Sequence, residues 1–153
     1  MSEKANSPLI ADLMLPELQR QLTEDPSLWP NVKGLFVITV TRKKTSEAVW
    51  YLLFQGNEVE PVITSDEANA RKSVKGKVRT VKIQIEDHNL LNFITGGMSG
   101  VKAYMSGKIK VRGDLILAQR LEEVFEKAGG RDRALEFIKK NEKILVISGK
   151  SKL

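Results

Sequence analysis

A run of strand-like segments between residues 34 and 85 restricts the fold more than any other feature of the sequence. Residues 34–42 (GLFVITVTR) and 47–57 (EAVWYLLFQGN) are rich in β-branched and aromatic residues, and the polar residues between them predict a hairpin. In residues 77–85 (KVRTVKIQI), apolar and polar side chains alternate, which predicts a strand with one solvated face. A meander of strands followed by helices is typical of an α+β fold, in which an antiparallel sheet carries helices on one face.

Two shorter segments are also strand-like. Residues 58–63 (EVEPVI) contain Pro61, which cannot donate a ladder hydrogen bond and therefore predicts an edge strand or a strand end. Residues 107–113 (GKIKVRG) alternate between two glycines. Residues 64–76 are polar and weakly patterned, so they predict no regular element.

Helical periodicity begins at Ser7-Pro8, where a capping residue is followed by proline at the first helical position. Pro16 cannot continue that helix without a kink, but it can also start a new helix. Asp87 is expected to cap a short helix that ends at Gly96. Asp114 is expected to cap the most regular helix, whose apolar stripe recurs at helical spacing: Leu117, Leu121, Val124, Phe125 and Ala128.

The length and the rare residue types limit the function. The 153 residues predict one domain, with its core at about residues 7–129 and a C-terminal helix (132–141) and tail within 130–153. The absence of Cys excludes a disulfide framework and a thiolate nucleophile, and a single His excludes His-rich metal sites. We expect no cofactor and no metal. The chain has no apolar run of membrane-spanning length and no signal-peptide core, which predicts a soluble protein made without secretion.

Few residues carry a recognisable chemistry. The net charge of +6 comes without a helix-turn-helix pattern or an RNA-binding aromatic signature, so we expect no nucleic-acid partner. There is no phosphate-binding loop after a strand and no nucleophile elbow. His88 is a candidate general base, although its place in the first turn of a helix is also typical of an ordinary surface residue.

Large, pliable apolar side chains are the more prominent feature: Phe93, Met98, Tyr104, Met105 and Phe125. Methionine suits irregular or adaptable apolar surfaces. Two interpretations stay open, since such residues either fill a core or line a cavity for an apolar ligand. Pattern alone favours the core.

Residues 96–125, GGMSGVKAYMSGKIKVRGDLILAQRLEEVF, resemble the signature of the sterol carrier protein 2 domain, a family of non-specific lipid-transfer proteins. The shared pattern is a helix ending in glycine, then A-[FY]-x-x-G-K-[LI]-K-[IV]-x-G-[DN], then an amphipathic helix. Residues 103–114 fill that pattern, and the resemblance extends over about residues 18–128. The segment Met98-Ser99-Gly100 lacks the Asn-Pro often found in the family, and the chain continues past the usual end of the domain.

The resemblance implies a five-stranded, mostly antiparallel sheet covered by helices, with a hydrophobic tunnel between sheet and helices. It also implies a non-enzymatic carrier of fatty acids, fatty acyl-CoA and sterols. No thiolase or dehydrogenase domain precedes the matching residues, so we expect a stand-alone carrier. The apolar residues that we expect to contact lipid are Phe36, Ile38, Trp50, Leu52, Leu90, Phe93, Ile94, Met98, Met105, Leu117, Leu121 and Phe125. The strand residues among them are the weaker candidates, because the first two strands are apolar on both faces.

The chain ends in Ser151-Lys152-Leu153, a tripeptide that the peroxisomal import receptor reads as a matrix-targeting signal. Family members are typically peroxisomal, so the resemblance supports this interpretation. We therefore expect localisation in the peroxisome matrix and the import receptor as a partner.

Other interpretations differ in class. An acyl-CoA-processing enzyme would need a base in the tunnel, and the only His is His88. A non-catalytic protein-interaction module would fill its cavity with its own side chains. Lys102, Lys108 and Arg112 are candidate partners for a carboxylate, a CoA phosphate or a transiently bound anionic membrane surface, with an ordinary solvent-facing role as the alternative.

Overall fold

A five-stranded sheet in the order β3-β2-β1-β4-β5 organises the protein. The computed structural model describes residues 9–94 and 98–128, together with Glu136, Lys139 and Lys140. A 3-10 turn at Pro26–Leu28 follows the first helix. The elements in chain order are α1 (Ile10–Glu24), β1 (Lys33–Arg42), β2 (Thr45–Gln55), β3 (Val62–Thr64), α2 (Glu67–Lys72), β4 (Thr80–Glu86), α3 (Asp87–Ile94), α4 (Gly100–Met105), β5 (Ile109–Gly113) and α5 (Leu115–Ala128).

The pairing confirms the predicted α+β class with a mostly antiparallel sheet. β1 and β2, β2 and β3, and β4 and β5 pair antiparallel, and only β1 and β4 run parallel among these strands. The parallel register sets Leu35 beside Thr80 and Thr41 beside Glu86. β3 forms one edge directly after Pro61, as the proline predicts.

The two faces of the sheet are covered unequally. On one face, alternate residues such as Phe36, Ile38 and Leu52 belong to the main core, which α1, α3 and α5 complete. On the other face, Leu35, Val37 and Leu53 form a smaller core against the segment that contains α2. Residues 64–76, which are weakly patterned in the sequence, include α2, and this helix contacts β2 and β3. This explains why β1 and β2 are apolar on both sides.

A single helix, α1, continues through Pro16, so no new helix starts at that residue. A proline inside a helix removes one backbone hydrogen bond and costs about 3 kcal/mol. Six apolar residues of α1 are buried on both sides of the proline, which outweighs that cost: Ile10, Ala11, Met14, Leu15, Leu18 and Leu22.

Two adjacent carboxylates, Glu86 and Asp87, tie distant backbone segments to the end of β4. Glu86 accepts hydrogen bonds from the N–H groups of Lys43 (3.0 Å) and Lys44 (2.7 Å). Both lysines have positive φ, 55° and 66°, as the two-residue turn between β1 and β2 requires. Because left-handed backbone is unfavourable for residues other than glycine, these bonds offset part of the cost of the turn.

The sequence predicted that Asp87 caps its own helix, but the structure shows its carboxylate at the start of a different helix. Its buried carboxylate accepts hydrogen bonds from the N–H groups of Ile10 (2.6 Å) and Ala11 (3.0 Å), and it lies 4.0 Å from the Arg42 guanidinium. Leu9, which precedes α1, provides no side-chain cap. Asp87 therefore supplies the cap of α1 from a remote part of the chain.

Some predictions fall outside the described residues. These are the helix start at Ser7-Pro8, the stop at Gly96-Gly97 and the terminal tripeptide. Of the helix predicted over 132–141, the three described residues are helical. None of the helices in the described ranges is both long and apolar enough to cross a membrane.

Candidate functional site

An apolar cavity lies between one half of the sheet and helices α3, α4 and α5. It encloses about 90 Å3 of free space. Its walls come from three strands and three helices: Ile38, Ile83, Ile85, Ile109 and Val111 from the sheet, and Leu90, Phe93, Gly100, Val101, Tyr104, Leu115, Ala118, Gln119, Leu121 and Glu122 from the helices.

Strand alternation builds the sheet side of the cavity. In β4, Ile83 and Ile85 face the cavity, whereas Lys82 lies exposed on the other face. In the edge strand β5, Ile109 and Val111 face the cavity in the same way. The floor of the cavity is therefore formed by β-branched side chains with few rotamers.

The helix side is held together by aromatic and apolar packing. The rings of Phe93 in α3 and Phe125 in α5 meet edge to face, with centroids 5.6 Å apart. Leu90 and Leu121 are almost completely buried beside them. Val101, Tyr104 and Leu115 each remain about half exposed although they line the cavity, so they form its rim.

Four of the twelve residues predicted to contact lipid line this cavity: Ile38, Leu90, Phe93 and Leu121. Six others are buried in the main core outside the cavity walls: Phe36, Trp50, Leu52, Ile94, Leu117 and Phe125. Met98 is partly buried and packs against that core. Met105 is 77% exposed, because the side of α4 that faces the core carries Ala103 instead.

The cavity contains residues that the sequence analysis did not select. Ile83 and Ile85 were identifiable from the clean alternation of their strand, and Ile109 and Val111 from the short alternating strand between glycines. On α5 the cavity residues Leu115, Ala118, Gln119 and Glu122 recur at helical spacing beside the main apolar stripe. That second stripe mixes polar with apolar residues, so the sequence pattern did not indicate that it lines a cavity.

Polar side chains are few in the described walls of the cavity. Glu122 Oε1 accepts a hydrogen bond from the N–H of Gly100 at 3.2 Å, which ties the start of α4 to α5. Ser99 Oγ accepts a second bond at that end, from the N–H of Lys102 at 3.3 Å. The first turn of α4 is therefore bonded to α5, and Ala103 is the one buried residue of α4.

No constellation for catalysis accompanies the cavity in the part of the chain that the structure describes. His88 is exposed on α3 and is not among the residues that line the cavity. The described residues hold no group of three potential metal ligands. Lys102, Lys108 and Arg112 are exposed and do not line the cavity, and Arg112 lies on the face of β5 opposite the cavity-lining Val111.

Comparison with known proteins identifies relatives of the same fold. A curated relative, the oleate-induced peroxisomal protein POX18 of Candida maltosa, is 26% identical over 104 residues, which cover 67% of this chain and 73% of that protein. The sterol carrier protein domain 2 of Helicoverpa armigera has 24% identity and a TM-score of 0.56, covering 80% of this chain and 91% of that one.

A second solved structure is sterol carrier protein-2 of Aedes aegypti in complex with palmitate, a C16 fatty acid. It has 16% identity and a TM-score of 0.52, and the alignment covers 84% of this chain and 99% of that one. The sequence profile described as the SCP-2 sterol transfer family matches residues 15–126, which is most of the chain and includes the cavity. The chain therefore belongs to the SCP-2 sterol transfer family.

Proposed function

We propose that this protein is an intracellular carrier that holds fatty acids, fatty acyl-CoA or sterols in the cavity between sheet and helices. The observation that carries the proposal is the cavity wall, which is mostly aliphatic and aromatic, with Gln119 and Glu122 as its amide and carboxylate among the described residues. The fold also holds palmitate in the Aedes aegypti protein. Membership of a sterol transfer family supports the same class of cargo.

An apolar wall provides enough free energy without directional contacts. Each methylene removed from water contributes about 0.8 kcal/mol, so ~14–16 methylenes give about 11–13 kcal/mol of gross driving force. The loss of translational and rotational freedom on binding costs at least about 4 kcal/mol, which reduces the net binding free energy. A net value near 8 kcal/mol corresponds to micromolar affinity, and it depends little on the shape of the head group.

The cavity must widen to accept such a chain. Its free space of about 90 Å3 is well below the roughly 300–1,000 Å3 of sites that bury a whole ligand. α4 is the element that we expect to move outward, because only Ala103 of its six residues is buried. The bond between Glu122 and Gly100 then serves as the pivot at its first turn.

We place the carrier in the peroxisome matrix. The support is the name of the Candida maltosa relative, which is a peroxisomal protein, together with the terminal Ser151-Lys152-Leu153. The import receptor would be the partner that reads this signal. A fluorescent protein fused to the N-terminus should give peroxisomal puncta, and deletion of Leu153 should make the signal diffuse; diffuse signal from the intact chain would contradict this localisation.

The test of the carrier function is displacement of a fluorescent fatty acid from delipidated protein by palmitate, palmitoyl-CoA and a sterol, measured in parallel. We expect displacement at micromolar concentration or below, and the rank order identifies the preferred cargo. Absence of binding by all three, in a protein shown by circular dichroism to be folded, would contradict the proposal. It would favour a protein-interaction module instead.

A further inference from the structure

The five large apolar side chains that are exposed in the described part of the chain all lie between residues 101 and 116. We call them the rim patch: Val101, Tyr104, Met105, Leu115 and Ile116. Met105 is 77% exposed and Ile116 is 74% exposed, far more than a structural role requires. A soluble protein rarely leaves such a group of side chains in water unless the surface binds something.

The rim patch surrounds the opening of the cavity. Val101, Tyr104 and Leu115 line the cavity and are also about half exposed. In α4, Met105 lies one turn from Val101, on the side opposite the buried Ala103. In the first turn of α5, Ile116 is directly beside Leu115, while the following residue turns into the core. The patch therefore belongs to one surface, at the point where a lipid would enter.

This surface is positively charged. Residues 100–116 contain four basic residues and a single acidic residue, a net +3 of the chain's +6. Lys110 and Arg112 alternate with the cavity-lining Ile109 and Val111, so they lie on the opposite face of β5. The other two are Lys102 in α4 and Lys108, whose N–H donates to the Ala103 carbonyl of α4 at 2.8 Å. The acidic residue, Asp114, forms an ion pair with Arg79 at 2.8 Å. Lys102 and Lys108 are exposed and form no ion pair among the described residues. An apolar patch with these two cations beside it suits an anionic, apolar partner.

Charge makes two other partners for this surface unfavourable, a second copy of the chain and the chain's own C-terminal residues. A second copy of the chain would bring an equally positive patch against it, and like charges repel. The chain's own residues 129–153 include the apolar stretch ILVI, but they contain seven basic residues and three acidic ones, so they are also positive. A partner with negative charge and an apolar interior fits both properties.

We propose that the rim patch docks on the surface of an anionic phospholipid bilayer. Met105 and Ile116 enter the boundary between head groups and acyl chains, Tyr104 lies at that boundary, and Lys102 and Lys108 contact the phosphates. In this position the opening of the cavity faces the membrane. The inference complements the proposed carrier function, because a lipid then passes between bilayer and cavity without crossing water.

The test is co-sedimentation of the full-length protein with vesicles of phosphatidylcholine alone and of phosphatidylcholine mixed with phosphatidylglycerol. We expect the protein to sediment with the anionic vesicles, and high salt to weaken this binding. Met105→Ser with Ile116→Ser should reduce the partition coefficient about tenfold or more. Lys102→Gln with Lys108→Gln should reduce it by about thirtyfold, at roughly 1 kcal/mol per charge.

A matched pair of lysines provides the control. Lys72→Gln with Lys75→Gln removes two exposed cations from the region of α2, on the other side of the sheet, and should leave vesicle binding unchanged. Equal effects of the two lysine pairs would overturn the proposal, since binding would then depend on total charge. Failure of the intact protein to sediment with anionic vesicles would also overturn it, and a doubled mass in sedimentation equilibrium would identify a second copy as the occupant.

Cargo binding distinguishes this proposal from the carrier function. Met105 and Ile116 do not line the cavity, so the double serine variant should still bind a fluorescent fatty acid with unchanged affinity. Vesicle binding without fatty-acid binding would contradict the carrier function alone. Fatty-acid binding without vesicle binding would contradict the docking surface alone.

Discussion

The carboxylate of Asp87 lies 2.6 Å from the backbone nitrogen of Ile10, and this bond joins the start of α3 to the start of α1 across 77 positions of the chain. The same carboxylate accepts a hydrogen bond from Ala11, and all three residues are buried. A buried backbone N–H that loses its partner costs about 1–3 kcal/mol, because no water replaces the bond. The cap of α1 is thus a tertiary contact of the core.

We expect Asp87→Ala to lower the free energy of unfolding by about 2–4 kcal/mol, as measured by urea denaturation. The control is Asp66→Ala, which removes another aspartate cap, at the start of α2. Asp66 is exposed, so water replaces its bonds and the loss should be at most about 1 kcal/mol. Equal losses in the two variants would contradict a special role for the buried cap.

The two neighbouring carboxylates should respond to acid with opposite signs. Burial works to raise the pKa of Glu86, but hydrogen bonds from Thr41, Lys44 and Lys43 outweigh it and hold the pKa below its ordinary value of 4.5. Burial raises the pKa of Asp87 above 3.8, against the bonds from Ile10 and Ala11. Glu86 therefore stabilises the fold above pH 4.5 and loses this effect as the pH falls through its folded pKa. The contribution of Asp87 is complete below pH 3.8 and decreases as the pH rises through its folded pKa.

The opposite pH dependence of the two contributions to stability is measurable by urea unfolding between about pH 7 and about pH 3. The stability advantage of the unmodified protein over Glu86→Gln should shrink below pH 4.5. Its advantage over Asp87→Asn should instead grow as the pH falls towards 3.8. Parallel pH profiles for the two differences would refute the assignment.

The close packing of α5 on the sheet depends on a missing side chain at Gly34. A Cβ atom at Gly34 would lie 2.7 Å from both Leu117 Cδ1 and Leu117 Cδ2. Gly34→Ala should therefore destabilise the protein by about 1–3 kcal/mol through overpacking. Gly76→Ala is the control, because nothing lies within 4 Å of a Cβ there, and it should be neutral or slightly stabilising.

A double-mutant cycle tests the cause of this loss. Leu117→Ala removes the atoms that clash, so Gly34→Ala should cost much less in that background. Additive losses in the cycle would show that the alanine acts through some other contact. Leu117 lies outside the cavity walls, so the cycle reports on the anchoring of α5 and leaves the cavity lining intact.

Filling the cavity should abolish cargo binding without unfolding the protein. Ala118→Leu places a larger apolar side chain into the free space, and we expect fatty-acid affinity to fall about tenfold or more with little change in stability. Glu123→Leu is the control, because it adds the same side chain to an exposed position of the same helix. Unchanged fatty-acid displacement by Ala118→Leu would show that cargo binds elsewhere.

The sequence pattern predicted the sheet and its helices well because those elements obey local rules. Alternation in residues 77–85 and the capping position at Asp114 both predicted what the structure contains; Asp114 accepts the N–H of Leu117 at 3.0 Å. The cap from Asp87 to α1 could not be predicted, because it depends on which distant ends meet. The continuation of α1 through Pro16 likewise depends on burial by the rest of the fold.

The cavity was harder to predict than the fold because apolar composition does not distinguish a wall from a core. Leu117 and Leu121 belong to one apolar stripe, yet only Leu121 reaches the cavity. Met105 looked suitable by its pliable side chain, but its position in α4, opposite Ala103, turns it to solvent. Which side of each helix meets free space is decided by the angles at which helices cross the sheet, and a single sequence does not contain those angles.

The remote cap of α1 has a consequence for the timing of synthesis. A ribosome adds about 5–20 residues per second, so Asp87 is added about 4–15 s after Ile10, from which it is 77 positions away. During that interval the nascent α1 has no cap at its first turn, because Leu9 supplies none. Among the described elements α1 is therefore the first to be translated, yet it reaches its final hydrogen bonding only after β1, β2, β3 and β4 have left the ribosome.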